Sequence, residues 1–292
     1  MKVCVASIIG RPNVGKSSLL NKIVNYDVTI VSSTPQTTRD QITGVYTDDD
    51  YQLVFVDTPG IHKPENLLGE ALNKEAFDST KGVDCLLFLS PINEPILQGD
   101  TMILEKIAKI PHKIAVISKI DLAKSPEEIT NKITELKKYN FDQILSVSVN
   151  NPNSIEDLKH EIEKYAVESE PLYDPEYVTD KSMRFIAKEI IRESAINCLY
   201  QELPHSIAVE VQDFIEDEDQ IEINGIIYVK KDSQKGMLIG KDASMIKKIG
   251  TNARKKMQNQ FGTKVILHLK VKVADKWVND KKSLKKFGYN NL

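Results

Sequence analysis

Residues 10 to 17 read GRPNVGKS, a match to G-x-x-x-x-G-K-[ST] placed directly after the apolar run VCVASII and directly before the helical pattern GKSSLLNKIV. Strand, loop and helix in that order make an anion cradle. Glycines let backbone N–H groups converge on phosphate oxygens at a helix N-terminus, a lysine neutralises the β and γ charges, and a hydroxyl reaches Mg²⁺. The candidate phosphate-binding residues are Gly10, Arg11, Pro12, Asn13, Val14, Gly15, Lys16, Ser17 and Ser18, with Ser17 also a candidate Mg²⁺ ligand. Chance produces the pattern in roughly one chain of this length per hundred. The strand and helix on either side make accident rarer still.

Three further stretches bear on the same ligand. VFVDTPG, residues 54 to 60, ends a strand at Asp57 and turns at Thr58, Pro59 and Gly60. Alone it is an ordinary turn. In an open α/β sheet, ligands lie outside the carboxyl ends of the strands, so Asp57 faces the same site as Lys16. Asp57 then approaches Mg²⁺ through water, and the Gly60 amide is free to meet a γ-phosphate. SSTPQTTRD, residues 32 to 40, falls between these pieces, and one of its paired threonines supplies a hydroxyl to Mg²⁺ when the γ-phosphate is present. Thr38 is favoured over Thr37. AVISKIDL, residues 115 to 122, leaves a strand into a loop where Asp121 can accept from the N1–H and N2–H of guanine, a pair adenine does not offer. Lys119 lays its stem against the base. Ser118 stands where such loops usually carry asparagine and keeps a shorter hydroxyl, so guanine selectivity is expected to survive with weaker affinity. SVSVNN, residues 146 to 151, offers Ser148 and the Val149 amide to guanine O6.

The elements that must position these loops follow from the apolar patterning. Through about residue 167, strand-like runs (VCVASII, QLVFVD, VDCLLFLS, KIAVIS, QILSVSV) alternate with helical patterns, the rhythm of βαβ units building a mostly parallel sheet. ESEPLYDPEYVTDKS then breaks the rhythm with two prolines and several acids and reads as a linker. After it come a long amphipathic helix, two alternating strands, a glycine-containing helical stretch and a last strand, an α-β-β-α-α-β order. The expected organisation is an α/β domain over 1–167, a linker over 168–180 and a small α+β domain over 181–292. At 292 residues the chain is long enough for two cores.

Composition narrows the class. With 41% hydrophobic and 28% charged residues the chain has ordinary globular balance, and no apolar run approaches the ~20 residues of a membrane-spanning helix. No secretory signal is visible at the N-terminus. Cys4, Cys85 and Cys198 form no CxxC pair and read as reduced core residues of a cytoplasmic protein; the five histidines show no ligand spacing, so a protein-built zinc site is not expected. Charge is asymmetric. Residues 1–180 hold 18 Lys+Arg against 28 Asp+Glu, a net of −10, whereas residues 181–292 hold 21 against 14, a net of +7. A basic second half points to a polyanion, although a lysine-rich face can equally be merely solvated.

Taken in order, GRPNVGKSSLLN, PQTTRD, DTPGIHKP, SKID and SVS resemble the Era family of GTPases. The later stretches YVTDKSMRFIAKEIIRE, ELPHSIAVEV, INGIIYVKK and IGKDASMIKKIG are similar to that family's C-terminal KH domain. The resemblance implies a P-loop GTPase domain followed by a type II KH domain, GTP and GDP as ligands with Mg²⁺, and cytoplasmic localisation with possible peripheral contact at the inner face of the membrane. It implies the small ribosomal subunit and the 3′ end of its RNA as partners, a role in assembling that subunit, and no stable oligomer. Asn13 matches an asparagine that coordinates K⁺ in some related GTPases. Ile61 stands where a water-orienting glutamine is common and cannot do that work. In the KH domain the backbone-clamping loop reads Gly240-Lys241-Asp242-Ala243, with alanine in place of the second glycine, tolerated if that residue is helical. Lys247, Lys248, Arg254, Lys255 and Lys256 would supply the electrostatic attraction, and Ile239 and Ile246 would contact bases, whereas Ile249 reads as core.

Two other readings stay open at this point. One is a nucleotide-gated RNA-binding module with negligible hydrolysis, as Ile61 suggests; the other is a P-loop ATPase or kinase in which SKID is accidental.

Overall fold

The computed structural model describes residues 1–32, 38–199 and 207–289. Two compact units are present. The first takes in Met1–Thr29, Thr38–Lys63 and Leu72–Asp180; the second takes in the chain from Lys181, together with Pro64–Ala71 and the stretch from Ile30.

In the first unit, β1 (Lys2–Ile9), β3 (Tyr51–Asp57), β4 (Cys85–Pro91), β5 (Lys113–Ser118) and β6 (Gln143–Ser146) run parallel in the order β3-β1-β4-β5-β6. These strands are near-continuous apolar runs because helices cover both faces of the sheet, and β4 is buried along its whole length. Helices α1 (Lys16–Val24), α2 (Leu67–Asp78, of which the part from Leu72 belongs to this unit), α3 (Gln98–Ile107), α4 (Pro126–Leu136) and α5 (Pro152–Glu163) alternate with the strands. Pro126 and Pro152 sit in the first turns of α4 and α5, where a missing N–H costs nothing, and the Asn151 side chain caps α5 by accepting from Asn153 N. Ile9, Leu86, Phe88, Ile103, Ile117 and Leu136 pack into one core that fixes β1, β4, β5, α3 and α4 together. The carboxyl ends of the parallel strands consequently share one edge, where the polar loops emerge.

Two parts of this unit differ from the sequence expectation. Ile42–Thr47, given no strand there, forms the edge strand β2, antiparallel to β3; its order comes from that pairing and not from an alternating pattern of its own. The expected linker at 168–180 is packed along the first unit. Val167–Glu168 (β7) pairs antiparallel with the start of β1, and the fully buried Gln52 donates to Tyr173 O at 2.9 Å while accepting from Leu172 N at 2.8 Å and Tyr173 N at 3.0 Å. Thr179 Oγ1 adds a bond to Thr43 O at 2.7 Å. Side-chain bonds to backbone therefore hold a stretch whose prolines suggested a loose tether.

The second unit has the α-β-β-α-α-β order of a type II KH domain. Helix α6 (Met183–Cys198) is capped by Ser182, whose Oγ accepts from Phe185 N, and is followed by β8 (Ala208–Glu216), β9 (Gln220–Val229), α7 (Asp232–Ile239), α8 (Ser244–Phe261) and β10 (Lys264–Val273). β9 lies between β8, antiparallel to it, and β10, parallel to it. Ile190, Ile191, Ile223, Ile227, Ile249, Ala253 and Met257 fill the space between helices and sheet. Beyond β10, a turn at Trp277–Asn279 and helix α9 (Lys281–Lys286) close with Trp277 packed edge-on against Phe287 at 5.4 Å, an aromatic lock the sequence reading did not assign.

All three cysteines are buried and free, and burial pushes the Cys4 thiol up to about 12, which suits packing and not chemistry. Among the described residues, no helix is long and apolar enough to cross a membrane.

Candidate functional site

The strand-loop-helix of residues 10–17 folds as a left-handed turn onto a helix. Asn13 at φ +63° and Gly15 at φ +103° bend the chain so that Gly15 caps α1, and Lys16 opens the helix buried, with Ser18 half-buried one residue beyond Ser17. Lys16 Nζ donates to Gly10 O at 3.3 Å and to Arg11 O at 3.0 Å. Burial pulls its pKa down to about 8 against the pull of Asp57, and burial pushes Asp57 up to about 6 against Lys16 and its hydrogen bonds. Desolvation outweighs mutual attraction in both groups, so Lys16 is left short of an anion and Asp57 short of a cation.

Asp57 ends β3 beside that lysine. Its Oδ2 accepts from Ser17 Oγ at 2.8 Å and from Thr29 Oγ1 at 3.4 Å, Ser17 Oγ lies 2.7 Å from Thr38 Oγ1, and Asp57 Oδ1 is buried with no hydrogen-bond partner. An all-oxygen donor set with an unpaired carboxylate oxygen fits Mg²⁺, which would be held by Ser17, Thr38 and Asp57. Thr37, the other threonine of that pair, lies outside the described residues.

The turn after Asp57 is stitched to the phosphate loop. Thr58 Oγ1 donates to Ile8 O at 2.8 Å and Ile61 N to Gly10 O at 3.1 Å. Pro59 is buried between them. A Cβ on Gly60 would stand 2.6 Å from Pro12 Cα, so only glycine permits this approach. Ile61 is fully buried in the core with Ile9 and Phe88, a physical reason for isoleucine directly after Gly60.

At the other end of the edge, Asp121 is oriented by Ser148 Oγ, which donates to Oδ1 at 2.7 Å, and by Asn150 Nδ2 at 3.4 Å to Oδ2. The Ser148 bond holds its pKa below the usual carboxylate range, keeping it an acceptor. Val149, half-buried, follows in the turn that closes β6. Ser118 behaves differently from the expectation. Its hydroxyl, in place of reaching for a base, donates to Val14 O at 2.6 Å, and Lys119, at φ +56°, donates to Asn13 O at 2.7 Å. The base-reading loop is thus tied twice to the phosphate loop, and the short serine reaches a main-chain carbonyl because the two loops are adjacent.

In the second unit the candidate clamp joins α7 to α8. Gly240 has φ +73°, Lys241 is exposed, and Asp242 and Ala243 take φ +52° and +59°. Ala243 is therefore left-handed, so the helical backbone on which tolerance of alanine was made to depend is absent at this residue, and an L-residue pays about 1 kcal/mol there. Lys247, Lys248, Arg254 and Lys255 are exposed at seven-residue spacing along α8, Ile239 and Ile246 are half-buried, and Ile249 is core. Lys256 pairs with Glu193 at 2.7 Å. Met237, 62% exposed in the last turn of α7, is an apolar neighbour of this loop that the sequence reading passed over.

With both units described, comparison with known proteins is decisive. A family model described as a 50S ribosome-binding GTPase matches residues 5–120, and one described as a KH domain matches residues 202–278. GTPase Era of Mycoplasmopsis agalactiae is 70% identical over 290 residues, covering 99% of this chain and 100% of the relative. The chain belongs to the Era family of GTPases. GTPase Era of Mycoplasmopsis pulmonis is 53% identical over 291 residues, 98% of this chain and 99% of the relative. Among solved structures, Era in complex with MgGDPNP and nucleotides 1506–1542 of 16S ribosomal RNA superposes with TM-score 0.95 at 33% identity, covering 99% of each chain. An Aquifex aeolicus Era variant bound to GDP and AlF4⁻ gives TM-score 0.95 at 34% identity with the same coverage.

Within this Era-family site, sequence reasoning missed the braces. Thr29 shares Asp57 with Ser17 and is itself held by Asn21, whose side chain accepts from Thr29 N at 3.0 Å and donates to Thr29 O at 2.7 Å. Ser154 Oγ accepts from Ser148 N at 3.1 Å. Asn21 closes the family stretch GRPNVGKSSLLN, and its place in that stretch was the available signal.

Two outcomes follow from this geometry. Ser118→Ala leaves Val14 O unpaired, so GDP binding is expected to weaken by about tenfold, the equivalent of ~1–2 kcal/mol, with the preference for guanine over adenine intact; titration with fluorescent nucleotides measures both. Ala243→Gly is expected to stabilise the protein by about 0.5–1 kcal/mol in thermal denaturation by removing left-handed strain, whereas a loss of stability contradicts the left-handed assignment.

Proposed function

We propose that this chain is a GTP-hydrolysing, nucleotide-switched RNA-binding protein that acts in small ribosomal subunit assembly through the 3′ end of small-subunit ribosomal RNA. The observation that carries the reading is the pairing of two ends on one sheet edge: Lys16, Ser17 and Asp57 built for a metal-bound polyphosphate, and Asp121 locked by Ser148 as an acceptor for guanine. The RNA half is supported by the KH fold, by the exposed cations of α8, and by the 16S RNA bound to the Era relative that superposes on the whole chain.

When bound, Mg²⁺ and a K⁺ ion supply positive charge against the phosphate oxygens. Ser17, Thr38 and Asp57 would hold the first, and Asn13 is the residue that would hold the second. Lys16 neutralises the β and γ oxygens, and the Gly60 amide, pressed against Pro12, meets the γ-phosphate. Ile61 is buried and turns no polar group toward water. Lysines 247 and 248 and their partners one spacing on attract the RNA backbone, with the salt dependence such contacts carry. The reading keeps the protein in the cytoplasm, with peripheral contact at the inner face of the membrane and without a stable oligomer.

The deciding experiment is displacement of a fluorescent GDP analogue by GDP, XDP and ADP. GDP is expected to displace far better than ADP, and Asp121→Asn to shift preference toward XDP, whose 2-oxo group accepts from the asparagine amide; equal competition by ADP overturns the guanine assignment. The buried Ile61 favours a second reading, a nucleotide-gated binder with negligible turnover, and phosphate release separates the two. Hydrolysis is expected to run at least about tenfold faster in K⁺ than in Na⁺, with Asn13→Ala erasing the difference. Equal rates in the two salts remove K⁺ from the mechanism, and no release even with small ribosomal subunits present favours the gated binder.

A further inference from the structure

Arg11 belongs to the phosphate loop by sequence, yet its side chain leaves it. Nε donates to Asp100 Oδ2 at 2.8 Å and Nη2 to Glu94 Oε2 at 2.6 Å, while the Arg11 carbonyl accepts from Lys16 Nζ at 3.0 Å. Asp100 is fully buried in the first turn of α3; its Oδ2 also accepts from Leu97 N at 2.9 Å, and its Oδ1 has no hydrogen-bond partner. A carboxylate buried in this way needs a cation, and the guanidinium provides it. The stem of Arg11 crosses α3 at Gly99. A Cβ on Gly99 would stand 2.8 Å from Arg11 Cδ and 3.3 Å from Cγ, with no other atom outside the helix within 4 Å, so the missing side chain opens a slot that this arginine alone fills.

The residue after the clamp is Pro12, and the Gly60 turn passes so close to it that a Cβ on Gly60 would stand 2.6 Å from Pro12 Cα. Where α3 holds Arg11 thus sets where Pro12 lies, and Pro12 sets where the Gly60 amide points. The backbone of Gly15 and the head of α1 meet this chain of contacts through the Lys16 ammonium on the Arg11 carbonyl, a main-chain acceptor that truncating the Arg11 side chain leaves in place. GDP needs only that second part; a γ-phosphate needs both.

We propose that Arg11 is a positioning residue that, clamped by Asp100 and Glu94 in the slot left by Gly99, aligns the Gly60 turn for the γ-phosphate and so separates GTP from GDP. The proposal rests on the guanine-nucleotide reading above. Its test compares Arg11→Ala, Gly99→Ala and the double variant by their affinities for GDP and for a non-hydrolysable GTP analogue, and by kcat and KM for GTP.

Each single variant is expected to lose about tenfold in affinity for the GTP analogue and in kcat, with GDP affinity changed by less than about threefold. Gly99→Ala is expected to add nothing in the Arg11→Ala background, because its added methyl group meets only the arginine. Equal losses for GDP and the analogue make Arg11 a general brace of the loop and overturn the proposal, as do unchanged affinities in both singles or additive losses in the double variant. Should Arg11→Ala fail to fold around the stranded Asp100, Arg11→Met with Asp100→Asn takes its place in the cycle. Wild-type protein that binds neither nucleotide would instead refute the underlying guanine-nucleotide reading, a result visible before any variant is compared.

Discussion

Burial removes water from Lys16 and Asp57 together, and their attraction repays neither: the ammonium falls to about 8 and the carboxyl rises to about 6. The fold supports this arrangement because parallel strands must end on a common edge and because main-chain carbonyls, hydroxyls and a helix N-terminus stand in for solvent there. A polyphosphate with its metal satisfies both groups at once. The edge is therefore prepared for its ligand by the same burial that makes it costly to build.

Rigidity around that edge comes from many small ties. Ile61 to Gly10, Ser118 to Val14 and Lys119 to Asn13 each join a loop to the phosphate loop, Thr58 to Ile8 joins the turn after Asp57 to the strand that leads into it, and each is worth about 1 kcal/mol taken alone. Acting on one short segment, they restrict it more than any single bond would. The substitution of serine for asparagine at 118 is intelligible on these terms, since the tether to Val14 needs only a hydroxyl within reach. Asp121 is held independently, from β6 through Ser148.

The second unit solves a different problem, holding an extended polyanion. In the proposed reading its means are exposed cations repeated along α8 and a loop in which Asp242 and Ala243 take left-handed backbone. The Trp277, Phe287 and Tyr289 cluster closes the unit beyond its last strand and keeps the lysine-rich C-terminal helix against the body. The net charges of −10 over residues 1–180 and +7 over 181–292 thus correspond to two chemistries on one chain.

Much of this was legible in residue types and spacing. GRPNVGKS, Asp57 with Gly60, and Asp121 point to phosphate, metal and base because those residue types follow successive strands whose ends share one edge, and near-continuous apolar runs point to a parallel sheet. The order α-β-β-α-α-β was equally plain from local periodicity. What local patterns do not carry is the partner across space. That Ser118 answers to Val14, Arg11 to Asp100 across Gly99, Asp57 to Thr29, and Gln52 to the backbone of Leu172 and Tyr173 are contacts between residues up to 121 positions apart. The backbone angle of Ala243 likewise follows from how α7 and α8 meet, not from alanine's own preference. Residue type determines which interactions are available to a side chain; only packing of the whole chain decides which group stands within about 3 Å to receive it.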